Sequence, residues 1–231
     1  MKLSDLKRFH GYQSSFIPFA SGHYFYLASW DATPTSLSAF SNVWVVTPDN
    51  TRMLFADPSA SSDIVRIYHA FDEVYGASIS VQHEPDNQLR VECVSDNGKH
   101  DLGFRLTLHE TLASRLITAL SGSPPTRLRV SKPALAISDF LVNLLVAGQG
   151  SRMYGKTETG MPYYHGATER LLTVTSGSAR LDGTELGEVC SPTWDVEFGD
   201  SVPFAHPVVK IGSLHIPYDD EMLKRGATTN P

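Results

Sequence analysis

Leu102, Phe104, Leu106 and Leu108 alternate with Gly103, Arg105 and Thr107, and directly afterwards the spacing changes. Leu112, Leu116, Ile117 and Leu120 then recur at helical intervals. A period of two belongs to a strand with one buried face, and a period near 3.6 to a helix. This change of period divides the chain. Before it, aromatic and β-branched runs at His23–Trp30, Ser41–Thr47, Arg52–Ala56, Ile64–Ala70, Ala77–Gln82 and Gln88–Val94 all read as strands. Pro48-Asp49-Asn50 supplies a turn. Asn97-Gly98, between Gln88–Val94 and Leu102–Leu108, is the strongest hairpin signal, because a two-residue hairpin turn needs positive φ at both central positions.

The helical insert spans about 110–148. Gly122 stops its first helix, Pro124-Pro125 marks a loop, and Ile137, Phe140, Leu141, Leu144 and Leu145 form a second amphipathic run ended by Gly148 and Gly150. Thr107 and Glu110 fit a capping box at its start. Strands then return, with Asp182-Gly183 as another tight turn, and the polar tail begins at Asp219. The expected organisation is a β-rich half (1–109), the insert (110–150), a second β-rich half (151–218) and a tail (219–231), forming one compact unit. Short strands separated by Gly, Asn and Asp turns favour a mainly β barrel, or two barrel or sandwich halves, over a βαβ sheet.

Composition narrows the function classes. The 231 residues carry a net charge of −6 with no basic run, which argues against nucleic acid as a partner. The N-terminus MKLSDLKRFHGY has no apolar core of a signal peptide, and the stretch near Ala134–Ala147 is too short and polar to span a bilayer. A cytoplasmic protein is expected, with Cys93 and Cys190 as free thiols. Helices with one apolar face must bury it, and a barrel end or a second subunit would each serve, so a homodimer is one outcome.

Gly150-Ser-Arg-Met-Tyr-Gly155-Lys156-Thr157 fits the phosphate-loop pattern to the letter. Its context does not, because such a loop needs a strand before it and a helix N-terminus after it, and Gly160 and Pro162 follow at once. Nucleotide binding is the lesser alternative. Lys156 and Glu158 share a strand face; Lys156 would form a Schiff base only in a desolvating pocket. His83-Glu84 and His109-Glu110 begin like a zinc motif but lack its second histidine, so neither a metal nor another cofactor is expected. His69 and Asp72 are spaced to form an oriented acid–base pair. No nucleophile elbow occurs.

From Tyr163 the features cohere. Tyr163-Tyr164-His165 opens a strand, Gly177 and Gly183 punctuate a hairpin, and Trp194-Asp195-Val196-Glu197-Phe198 closes with its two acids on one face. This segment, with the aromatic run His23–Tyr26 and Trp30, resembles lipocalin-like (calycin) proteins of the carotenoid 1,2-hydratase and AttH type. In that family the Trp and the Asp are usually separated by one residue; here they are adjacent. The resemblance implies a barrel that binds an apolar isoprenoid, polyketide or lipid, as a carrier or sensor or as an isomerase, cyclase or hydro-lyase. Asp195 or Glu197 would then donate a proton, with His69 and Asp72 assisting. Tyr24, Tyr163, Tyr164, His165, Trp194, Lys156 and Glu158 would contact the ligand.

Overall fold

The computed structural model describes residues 6–122, 128, 131–147, 152–194, 196, 198, 200, 203–219 and 221–222. The protein is mainly β. Its strands are β1 (Leu6–Ser14), β2 (Ile17–Pro18), β3 (Tyr24–Ala32), β4 (Phe40–Val46), β5 (Arg52–Asp57), β6 (Glu73–Glu84), β7 (Gln88–Ser95), β8 (Asp101–His109), β9 (Tyr154–Lys156), β10 (Pro162–Leu181), β11 (Thr184–Glu188) and β12 (Val208–Pro217). Helix α1 is Ser61–Tyr68, α2 is Leu112–Gly122 and α3 is Lys132–Val142, continued by a wider turn over Asn143–Ala147.

Hydrogen bonds run in a ring through β1, β12, β10, β8, β7, β6, β5, β4, β3 and back to β1. The closing step is the double pairing of β1, with β12 along its whole length and with β3 from His10 to Gln13. All pairs are antiparallel except β5 with β6, which α1 separates in sequence as a parallel pair requires. Gly11 sits at the closure, opposite Gly212 of β12. A Cβ there would lie 2.1 Å from the Ser29 carbonyl oxygen of β3, so only glycine lets the strands meet.

The interior of the ring is filled with side chains. Phe25, Leu27, Val43, Val45, Met53, Phe55, Leu89, Val91, Phe104, Leu106, Leu172, Val174 and Val209 form one continuous core. Residues of the opposite parity on β3, β4 and β5 are buried as well: Tyr24, Tyr26, Trp30, Trp44, Leu54 and Ala56 belong to a second core outside the ring. These strands therefore read as near-continuous apolar runs, as strands covered on both faces do.

Part of that cover is α1. The run Ile64–Ala70, expected as a strand, is this helix. Ser61, Ile64, Val65 and Tyr68 are buried at i, i+3, i+4 and i+7, a helical stripe. Burying Ile64 and Val65 contributes on the order of 1.5–3 kcal/mol each. Helices α2 and α3 form the rest of the cover, packing Ile117, Val142 and Val146 onto Leu171 of β10 and Val208 of β12. Leu112, Leu116, Leu120, Ile137, Phe140 and Leu144 stay exposed on the same helices.

The cap of α2 is one turn later than Thr107: Ser114 N–H donates to Thr111 Oγ1 at 3.0 Å and Thr111 N–H to Ser114 Oγ at 2.9 Å. Glu110 instead pairs with Arg170 at 2.7 Å and Arg115 at 3.4 Å. At Asn97-Gly98 only Gly98 has positive φ. Among the described residues, the turns with two consecutive positive φ values are Asp182-Gly183, as expected, and Asp86-Asn87, which the sequence reading passed over.

Replacing Gly11 with alanine is expected to destabilise the protein by at least about 1–3 kcal/mol, the usual cost of forcing a methyl group into packed structure. A drop in the urea midpoint measures it; an unchanged midpoint would mean that the β1–β3 contact is dispensable.

Candidate functional site

A cavity of about 170 Å3 lies on the outer face of the ring, between the sheet and its helical cover. One water needs roughly 10–15 Å3 on the same measure, so there is room for an organic molecule. Phe9 of β1, Tyr26 and Trp30 of β3, Trp44 of β4 and Ile216 of β12 form its floor. Ile64 and Val65 of α1, Ile117 of α2 and Val142 of α3 close it from the other side, and Phe198 and Phe204 line it further. The parity of β3 and β4 dictates this placement: their even-numbered residues lie on the outer face, where Tyr26, Ala28, Trp30, Phe40, Asn42 and Trp44 line the cavity, and buried odd-numbered ones fill the ring.

Aromatic rings dominate the wall. Tyr26 stacks on Trp44 with centroids 4.2 Å apart, and Phe198 stacks on Phe16 at 5.1 Å. A few polar groups are set among them. Gln13 Nε2 donates to Tyr26 Oη at 2.6 Å, and burial pushes the Tyr26 hydroxyl well above the usual phenol range. Asn42 and Trp44 line the cavity, and each holds a fully buried polar atom, Oδ1 and Nε1, with no hydrogen-bond partner among the described residues. An unmade buried hydrogen bond costs roughly 1–3 kcal/mol, which a ligand presenting both an acceptor and a donor would recover.

The strongest electrostatic feature is Lys210 on β12. It is 9% exposed, and its Nζ donates to the Ser213 carbonyl oxygen at 3.0 Å and lies 3.2 Å from His165 Nδ1. No carboxylate comes within 4.0 Å of it among the described residues. Burial pulls its pKa down to about 7, against a smaller upward pull from Glu169. Burial, helped by the Lys210 charge, also holds His165 well below the usual imidazole range. β10 is irregular between His165 and Arg170, where its register to β12 shifts twice. Such bulges re-aim side chains, and this one accompanies the turn of His165 toward Lys210.

Several residues singled out from the sequence come together here. Tyr163 and His165 line the cavity, as does His69. His69 packs on Trp44 at 4.5 Å, but its carboxylate partner is Glu158, at 3.1 Å, rather than Asp72. Burial raises the Glu158 carboxyl, yet the bonds from His69 and from the Ala70 N–H outweigh it and leave the pKa lowered. Asp72 instead accepts from the Arg52 backbone N–H at 2.8 Å, tying β5 to the loop after α1.

Others stand apart from the cavity. Tyr24 is fully buried and donates its hydroxyl to the Trp194 carbonyl at 2.7 Å, fixing the 193–194 segment from β3. Trp194 donates Nε1 to the Gly22 carbonyl at 2.9 Å. Tyr164 pairs with Tyr154 and His215 within the sheet. Lys156 is exposed at the end of β9, where a turn and not a helix follows, and its N–H is bound by Asp200 at 2.7 Å. Asp195 and Glu197 lie outside the described residues; their neighbours Val196 and Phe198 are fully buried in the outer core. Among the described residues no group of three His, Cys, Asp or Glu side chains is placed to hold a metal ion.

Sequence reasoning missed Lys210, Asn42 and Trp44. One signal for Lys210 was present, a lone charge inside the apolar run Val208-Val209-Lys210-Ile211.

Lys210→Met is expected to stabilise the protein at neutral pH. Folded Lys210 loses its proton near 7 and unfolded lysine near 10.5, so between these values the unfolded chain binds more protons and stability rises with pH. The gain from the substitution is full below about pH 7 and vanishes as pH approaches 10.5. Urea unfolding at several pH values reads it, and a gain independent of pH would mean that Lys210 is not desolvated.

No family model, curated protein or solved structure matches this chain, so the reading of its function rests on the site just described.

Proposed function

We propose that this protein binds an apolar small molecule bearing one polar group, of isoprenoid, polyketide or lipid size, in the cavity on the outer face of its ring. The observation that carries this reading is an aromatic-walled cavity in which an acceptor, Asn42 Oδ1, and a donor, Trp44 Nε1, stand buried without partners. Ligand sites are usually of this kind, apolar with a few placed polar groups. The resemblance to lipocalin-like proteins supports the same ligand class. As first read, the ligand would sit inside the barrel; the packed ring interior favours the outer cavity instead.

A second reading, in which the protein isomerises, cyclises or hydrates its ligand, has support of its own. Phe198 lines the cavity and is next to Glu197 in sequence. Lys210, its pKa pulled down to about 7 by burial, and His165, held below the usual imidazole range, add two bases. Under this reading Glu197→Gln abolishes turnover and leaves binding intact; under the carrier reading there is no turnover to lose.

Ala28 lies on the cavity floor between Tyr26 and Trp30. Ala28→Phe is expected to fill the space and weaken binding of the apolar dye Nile red at least about tenfold, roughly 1.4 kcal/mol. Fluorescence titration of the folded variant checks this. Equal affinity in the two proteins would remove the cavity as the binding site.

A further inference from the structure

We propose that Lys210 captures an aldehyde or ketone ligand covalently, as an imine formed inside the outer cavity. The inference rests on the binding reading above and names the ligand's reactive group.

Lys210 Nζ has two polar neighbours, the Ser213 carbonyl oxygen at 3.0 Å and His165 Nδ1 at 3.2 Å. A neutral amine has two N–H bonds and one lone pair. Donating one hydrogen to each neighbour uses both N–H bonds and leaves the lone pair free. A protonated amine in the same place would hold a third N–H with no carboxylate to receive it among the described residues. Desolvation favours the neutral form in the same direction, and the neutral form is the nucleophile. Lys210 lines the cavity together with the apolar side chains of Phe204, Val208 and Leu171.

No carboxylate of the described chain lines this cavity. A ligand carboxylate would therefore meet no repulsion, but it would need Lys210 to be charged, the form that burial disfavours. A carbonyl needs it uncharged.

The step balances without an oxidant or a reductant. The nitrogen lone pair attacks the carbonyl carbon, a C–N bond forms, and the C=O π pair moves onto oxygen. His165 Nδ1, already in hydrogen-bond contact with the amine, relays one N–H proton to that oxygen. The C–O bond then breaks as C=N forms, the second N–H proton leaves by the same route, and the oxygen departs as water. His165 ends as it began, which suits an imidazole kept neutral by burial.

The test is reductive trapping. The full chain is incubated with decanal and cyanoborohydride, and the intact mass and peptide map are read. The expected product carries one decanal less its oxygen atom, on Lys210 in preference to the six other lysines. Lys210→Met should lose at least nine-tenths of the adduct while circular dichroism shows it folded. His165→Ala should slow trapping and keep its position. Nile red bound by the wild type but an adduct spread over surface lysines would overturn the imine and leave the cavity reading standing. Decanoate displacing Nile red from the wild type and not from Lys210→Met, with no decanal adduct on Lys210, would make Lys210 a counter-ion and overturn the imine. Nile red unbound by the wild type, with no adduct, would overturn both.

Discussion

The pairing of β1 with two partners at once holds this structure together. An antiparallel sheet of this length has two edges, and exposed edges invite aggregation. Here the first strand meets the last along its whole length and β3 along part of it, which turns the sheet into a ring. The approach is close enough that Gly11 stands opposite Gly212 and almost against the Ser29 carbonyl. The closure joins the two ends of the described chain, a contact of long sequence separation, so the loop-closure entropy it costs must be offset by the two cores it organises.

Those cores explain where the site is. A small barrel with large inward side chains has no room inside, and this one is packed with phenylalanine, leucine and valine from most strands of the ring. The surplus apolar surface is on the outside. β3, β4 and β5 are covered on both faces, and their outward aromatics need a roof, which α1, α2, α3 and the segments around Tyr163 and Phe198 supply. A roof built from short helices and loops fits a curved sheet less closely than one strand fits another. The remaining gap is the cavity, and Lys210 of β12 is caught at its wall with its charge disfavoured.

Much of the fold was legible. The alternation of Leu102–Leu108, the shift to helical spacing at Leu112 and the Asp182-Gly183 turn each depend on local chemistry, and each is found in place. Ile64–Ala70 was misread because its seven residues are rich in β-branched and aromatic side chains, which favour strands, and only the third dimension, a sheet needing cover, selects the helix. The site was less legible for the same reason. His69, Tyr163 and His165 were found because aromatic and imidazole groups stand out in any strand. Pairing His69 with Asp72 followed sequence proximity, whereas its partner Glu158 arrives from far along the chain. Asn42 and Trp44 looked like ordinary strand residues, and what distinguishes them, burial without a partner, exists only after folding.

The placement of the ligand outside the ring is the claim on which the functional account turns, and the chain's own tryptophans report on it. Of the three, Trp30 and Trp44 line the outer cavity, Trp194 is engaged with Gly22, and none belongs to the ring interior. The decisive measurement is quenching by 1-bromodecane, whose heavy atom acts at contact, in Trp194→Phe, which retains only the two cavity tryptophans. The account predicts strong, saturable quenching there, and its loss when Ala28→Phe is added. Saturable binding of 1-bromodecane, read by native mass spectrometry, with the emission of Trp30 and Trp44 unchanged would contradict it and return the ligand to some other part of the molecule.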